Sequence, residues 1–191
     1  ILKLLFSPGE AELARHIPTR FISSEVLSRK LGTPADELGQ KMIEMARRGL
    51  VIDIEQNGQR YLSLSPVVAG FFEFTFMRTR DDLPMGELAR LFDEYTHEND
   101  RFPRSVHQGQ TQIGRSLIRE EALPEEDHTE ILDWERASYI IGSASSVGVS
   151  LCSCRHKASH LGKACDRPQQ NCLSFNYAAE ILIRNGIAEP I

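Results

Sequence analysis

The chain has 191 residues, of which 41% are hydrophobic and 26% charged, values that fit a folded globular protein and exclude a disordered one. Its 22 Lys and Arg against 27 Asp and Glu leave a formal charge of −5, so any binding to phosphate would need locally concentrated positive charge. No run approaches the ~18 apolar residues of a membrane span, and we read a soluble, cytoplasmic protein with no membrane partner. Ile1 is not an initiator Met, its flank lacks signal-peptide architecture, and Ile191 ends the sequence abruptly; a fragment is expected, with room for a removed leader.

The first elements are strongly punctuated. Ser7-Pro-Gly-Glu10 supplies a cap, a proline at the first helical position and a returning carboxylate, predicting a helix over Pro8 to His16. A second helix follows Ser23, carries Val26, Leu27 and Leu31 on one face and stops at Gly32. Thr33-Pro-Ala-Asp36 repeats the capping pattern and opens a third helix that ends before Gly49. Leu50 to Asp53 and Tyr61 to Leu64 are strand-like runs flanking Asn57-Gly58, a hairpin-turn signal because both residues tolerate positive φ. Three helices and a β-hairpin predict a winged helix over residues 1–80.

The DNA reading of that domain would place the helix from Pro34 to Arg48 in a major groove. Its Lys41, Arg47 and Arg48 are balanced by Asp36, Glu37 and Glu44. Residues 1–80 hold eleven Lys and Arg against nine Asp and Glu, a surplus too small to release many counterions, so DNA binding is disfavoured. Ser65-Pro66 then opens a stretch from Val67 to Met77 with Phe71, Phe72, Phe74 and Phe76, whose period fits strand or helix; the proline cap favours helix. These aromatics serve core packing or a homodimer contact.

Asp81-Asp-Leu-Pro84 marks a boundary, and residues 81–146 form a helical and mixed connecting region. Leu88, Leu91, Phe92 and Tyr95 predict a helix from Met85 to Glu98; Ile113, Leu117 and Ile118 suggest short strands; Glu120, Glu121, Glu125, Glu126 and Asp127 read as a solvated acidic loop. Asp133 caps a helix carrying Trp134, Ala137, Ile140, Ile141 and Ala144, expected to act as a lid. Gly142 to Gly148 lacks the spacing and the lysine of a phosphate loop and reads as a connection.

All four cysteines fall between Cys152 and Cys172. Val147, Val149 and Leu151 alternate with Gly148, Ser150 and Cys152, predicting a strand that turns Cys152 and Cys154 to one side. One residue separates the first pair, ten precede Cys165 and six more precede Cys172. A 4Fe-4S cluster, a structural zinc or two disulfides could occupy such a quartet; neither pair has the Cys-x-x-Cys knuckle of zinc sites, and the uneven layout favours a cluster. The zinc alternative would join His156 and His160 to Cys152 and Cys154, leaving Cys165 and Cys172 idle, although His pairs four apart on a surface helix usually ligate nothing. Arg155, Lys157, Lys163 and Arg167 against Asp166 make the loop basic, which favours thiolates and a negatively charged cluster; the bland reading is a solvated basic loop. Pro168 stiffens the return, and Phe175, Tyr177, Ile181 and Leu182 predict a shielding helix that ends near Gly186.

Leu151-Cys-Ser-Cys-Arg155, Gly162-Lys-Ala-Cys-Asp-Arg-Pro168 and Asn171-Cys-Leu-Ser-Phe175 closely resemble the cysteine signature of bacterial 4Fe-4S ferredoxin-like proteins from anaerobes, which carry an amino-terminal winged-helix-like region. The resemblance is loose over the whole chain and strongest from Ile131 to Glu189. It implies that Cys152, Cys154, Cys165 and Cys172 ligate one cluster and that the protein transfers single electrons with a protein redox partner. Family members continue into a further cysteine-rich ferredoxin segment that this sequence does not contain.

The expectation is therefore an α+β chain: a winged-helix domain over 1–80, a connecting region over 81–146 and a cluster-binding segment over 147–191. The leading function is an electron carrier or redox subunit rather than an enzyme. The alternatives are a redox-sensing DNA-binding regulator using the same residues and a zinc-stabilised interaction module.

Overall fold

The computed structural model describes residues 1–107 and 134–191 and is a mixed α+β structure with small sheets. The short strands expected around Ile113, Leu117 and Ile118, and the acidic loop from Glu120 to Asp127, lie outside the described residues. The chain divides into two units, one made of Ile1–Ala89 with Ala144–Ile191, the other of Arg90–Ser143.

In the first unit, α1 (Leu2–Leu5) leads into α2 (Pro8–Ala14). The capping box at its start is formed: the Glu10 amide donates to Ser7 Oγ at 3.3 Å and the Ser7 amide to Glu10 Oε2 at 2.8 Å. After β1 (Ile22–Ser23), Ser23 caps α3 (Ser24–Leu31), which ends at Gly32 in the left-handed conformation that glycine adopts without steric cost. α4 (Ala35–Arg47) buries Leu38, Met42, Met45 and Ala46, an i, i+4, i+7, i+8 stripe. The expected cap is absent here, since Pro34 occupies the N-cap position and no side chain bonds the free amides.

β2 (Val51–Gln56) and β3 (Gln59–Leu64) pair antiparallel around Asn57 and Gly58, both at positive φ, and β1 adds to β3 to give the order β1-β3-β2. Leu5, Leu27, Leu38, Met42, Leu50 and Leu62 are buried in the core that the helices and this sheet share. The aromatic stretch is not one helix. A π-type turn over Val67–Phe71 contains non-helical backbone at Val68, Ala69 and Gly70, and only α5 (Phe72–Phe76) is regular. Pro66 is the N-cap of this turn, and a Cβ added at Gly70 would fall 3.0 Å from its ring, so the turn is fitted to glycine at that position.

The carboxyl-terminal part of this unit is a second sheet of order β5-β4-β6, built from β4 (Val147–Leu151), β5 (Gln170–Phe175) and β6 (Glu189–Pro190), all antiparallel. Between the strands run α9 (Ser153–His160) and α10 (Asn176–Arg184). The two parts of the unit share one surface. The carbonyls of Phe76 and Met77, at the end of α5, accept from His156 Nδ1 at 2.8 Å and from the Leu151 amide at 2.9 Å. Met77 packs with Leu182, Ile187 and Ala188, with Phe74, Cys172 and Ile183 against them. Asp53 of β2, only 3% exposed, faces Arg60 Nε at 3.3 Å and Arg184 Nε of α10 at 3.6 Å, and Arg184 also reaches Glu55 at 3.1 Å.

α6 (Met85–His97) follows in chain order. The second unit contains α7 (Arg101–His107) and α8 (Trp134–Ser143), and within it the rings of Tyr95 and Phe102 meet edge to face at 5.5 Å.

Backbone geometry and buried charge each make a stability prediction. Gly49 has φ of +77° and an added Cβ would fall 2.6 Å from the Phe74 Cβ, whereas Gly58 has φ of +73° in open space. Gly49→Ala should cost about 3 kcal/mol, combining ~1–2 kcal/mol of left-handed strain with a packing clash, and Gly58→Ala only about 1 kcal/mol, both read from urea unfolding. Burial pushes the Asp53 carboxyl above its ordinary range despite Arg60 and Arg184. The folded chain then holds a proton there that the unfolded chain has released, so this group's contribution to stability grows as pH falls through the raised value and is lost as pH rises through it. The stability of the wild type relative to Asp53→Asn should therefore increase as pH is lowered from neutral toward the ordinary carboxylate value of about 4; the opposite trend would mean that the arginines outweigh burial.

Candidate metal centre in the cysteine segment

The alternation expected to carry Cys152 and Cys154 on one strand ends at Leu151. Cys152 is the N-cap of α9 and Cys154 lies in its first turn, because the Cys152 carbonyl already accepts the first helical bond from the His156 amide at 2.9 Å. Both residues thus sit at the positive end of a helix dipole rather than on a sheet face. Cys172 lies on β5, a strand where the sequence pattern predicts only a return loop. Its signal is the alternation of Leu173 and Phe175 with Cys172 and Ser174, too short a run to stand apart from a turn.

Pairing aligns the two segments. Ser150 of β4 is opposite Cys172, a register shift follows between Ser150 and Leu151, and the Cys152 amide donates to the Gln169 carbonyl at 2.6 Å. The strand bearing Cys172 therefore flanks the turn bearing Cys152. Cys172 is half-buried against the Met77 and Leu182 cluster, and burial, followed by its neighbours Cys152 and Cys154, pushes its thiol upward. Cys165, on the exposed loop between α9 and β5, is displaced in the other direction: the Arg167 backbone amide and then the Arg155 guanidinium hold its thiol below the usual range.

Arg155 links these groups. Its Nε donates to the Cys165 sulfur at 3.2 Å, its Nη1 donates to the Pro168 carbonyl at 3.2 Å, and it also lies within electrostatic range of Cys152 and Cys154. In the sequence Arg155 is one of four cations with nothing to distinguish it, and the Arg167 amide has no sequence signal at all. All four cysteines are free thiols, two exposed and two half-buried. Among the described residues, no group of three or more His, Cys, Asp or Glu is arranged to hold a metal ion as it stands. Thiols are the donors that an iron-sulfur group takes, and this segment supplies four of them, two at a helix N-terminus, one facing N–H donors and one on β5.

His156 and His160 have another explanation. His156 is buried, and since a carbonyl can only accept, its Nδ1 carries the proton donated to Phe76. The His156 and His160 rings lie 5.1 Å apart and flank Phe76 at 6.0 and 6.3 Å. Burial and then His156 lower the pKa of His160. The pair thus packs α9 onto α5, and the surface helix expected there has one buried histidine. Tyr177, expected to shield the site, is 53% exposed and lines a small cleft with Asp53, Glu55, Glu180 and Arg184.

Comparison with family models, curated proteins and solved structures returns no match.

If the histidines are packing groups, their removal should be unequal. His156→Ala removes a buried ring and its hydrogen bond to the Phe76 carbonyl and should cost about 2–3 kcal/mol, while His160→Ala should cost less than about 1 kcal/mol, compared by urea unfolding.

Proposed function

We propose that this chain is an iron-sulfur redox protein in which Cys152, Cys154, Cys165 and Cys172 are the thiolate ligands of one 4Fe-4S cluster. The observation that supports the reading is that the Arg155 guanidinium donates to the Cys165 sulfur and lies within electrostatic range of Cys152 and Cys154, which in turn act on Cys172 of β5. When bound, the cluster would supply one-electron transfer to a protein redox partner. The chain's own part is to hold the sulfurs: the α9 N-terminus sets the positive end of its dipole beside Cys152 and Cys154, N–H donors favour the charged form of Cys165, and the apolar cluster beneath Cys172 keeps water from one side.

The order of α2, α3, α4 and the β2–β3 hairpin supports a winged-helix reading of the amino-terminal part. The charge of α4 supports the carrier over a DNA-binding regulator. Lys41 pairs with Glu37 at 2.7 Å, and Arg48 is directed to Glu10 and the Leu5 carbonyl. One observation favours the regulator as a second reading: the cysteine segment and the hairpin belong to one unit, joined through His156 to Phe76 and Arg184 to Asp53 and Glu55. Charge at the cysteines could therefore bias the amino-terminal helices. No helix among the described residues is long and apolar enough to cross a membrane.

Anaerobic purification should give a brown protein with about four iron and four sulfide per chain, and Cys165→Ser should lose the visible absorbance. A colourless protein holding about one zinc would replace the cluster with the zinc module. A salt-sensitive mobility shift on duplex DNA would move the regulator ahead of the carrier.

A further inference from the structure

We propose that Arg155 is the positioning residue for Cys165, fixing the loop that returns this sulfur to the other three; the inference deepens the cluster reading and rests on it. The loop from Leu161 to Gln169 joins α9 to β5. Backbone bonds secure its two ends, the Lys163 amide to the Ala158 carbonyl at 2.9 Å and the Cys152 amide to the Gln169 carbonyl at 2.6 Å. Its middle, from Ala164 to Pro168, is exposed. There a single guanidinium donates at once to the Cys165 sulfur and to the Pro168 carbonyl, both at 3.2 Å.

The base of that guanidinium is rigid. Arg155 lies on α9 next to His156, which is buried and bonded to Phe76, so the side chain projects from a helix anchored in the core. Two parallel requirements select arginine. The planar fork presents donors at fixed spacing to two acceptors, whereas a lysine ammonium supplies the charge from one point. A thiolate keeps lone pairs after it binds iron, so the same N–H donor serves the empty and the loaded site. In the loaded site it favours the more negative, reduced state. Arg155 thereby acts through Cys165 and contacts no substrate.

The test compares the wild type with Arg155→Gln and Arg155→Lys, with circular dichroism to establish folding. Before iron is added, Arg155→Gln should exchange the amides of residues 162–169 about tenfold faster, with α9 and β5 unchanged. After anaerobic reconstitution with iron and sulfide, its reduced-to-oxidised ratio at a fixed ambient potential should fall about tenfold, equivalent to ~59 mV for one electron. Arg155→Lys should recover much of the redox shift and little of the loop protection. Wild-type exchange of residues 162–169 in Arg155→Gln would overturn the proposal, whatever its redox ratio. A wild-type chain that takes up no iron would overturn the cluster reading, while the loop exchange would still decide whether Arg155 positions Cys165.

Discussion

Two consecutive carbonyls at the carboxyl end of α5 hold the cysteine segment in place. The last carbonyls of a helix have no partner within it, and burying them unpaired would cost about 1–3 kcal/mol each. Here the Phe76 carbonyl takes the His156 ring and the Met77 carbonyl takes the Leu151 amide. One bond fixes α9 and the other fixes the end of β4, on either side of Cys152. The position of that cysteine follows from a backbone need of a helix far away in sequence. Met77 then contributes its side chain to the apolar cluster on which Cys172 rests, so a single turn of chain supports two of the four sulfurs.

The arginines of the amino-terminal part show how charge is consumed by architecture. Arg48 closes α4 onto α1 and α2. Arg80 has a side chain only 1% exposed and donates to the Arg48 carbonyl and to both oxygens of Asp82, holding that carboxyl below its ordinary range. A count of basic residues therefore overstates what α4 offers to a phosphate backbone. What remains on its outer face is mixed in sign, with Asp36, Glu37 and Glu44 beside Lys41 and Arg47.

Legibility in the sequence tracks how local the governing interaction is. The Ser7 capping box, the stop at Gly32 and the Asn57-Gly58 hairpin depend on residues within a turn of one another, and each appears where its motif stands. The stretch from Val67 to Phe76 and the run from Cys152 to Cys154 depart from their sequence patterns for the opposite reason. The first is interrupted by non-helical backbone at Val68, Ala69 and Gly70, and the second turns into α9, where His156 meets the distant Phe76 carbonyl. The candidate site is legible in its composition, through four clustered thiols and a basic loop. Its arrangement is not, since the β4–β5 register and the two contacts of Arg155 span loops whose length alone fixes no geometry.

The unequal surroundings of the four sulfurs also set an order of chemical attack. Cys165 is open to solvent with its thiol held below the usual range, whereas Cys172 is half-buried with its thiol pushed up, so alkylating agents and peroxides reach Cys165 before Cys172. Oxidative wear therefore reaches the loop before it reaches the strand that sits against the core.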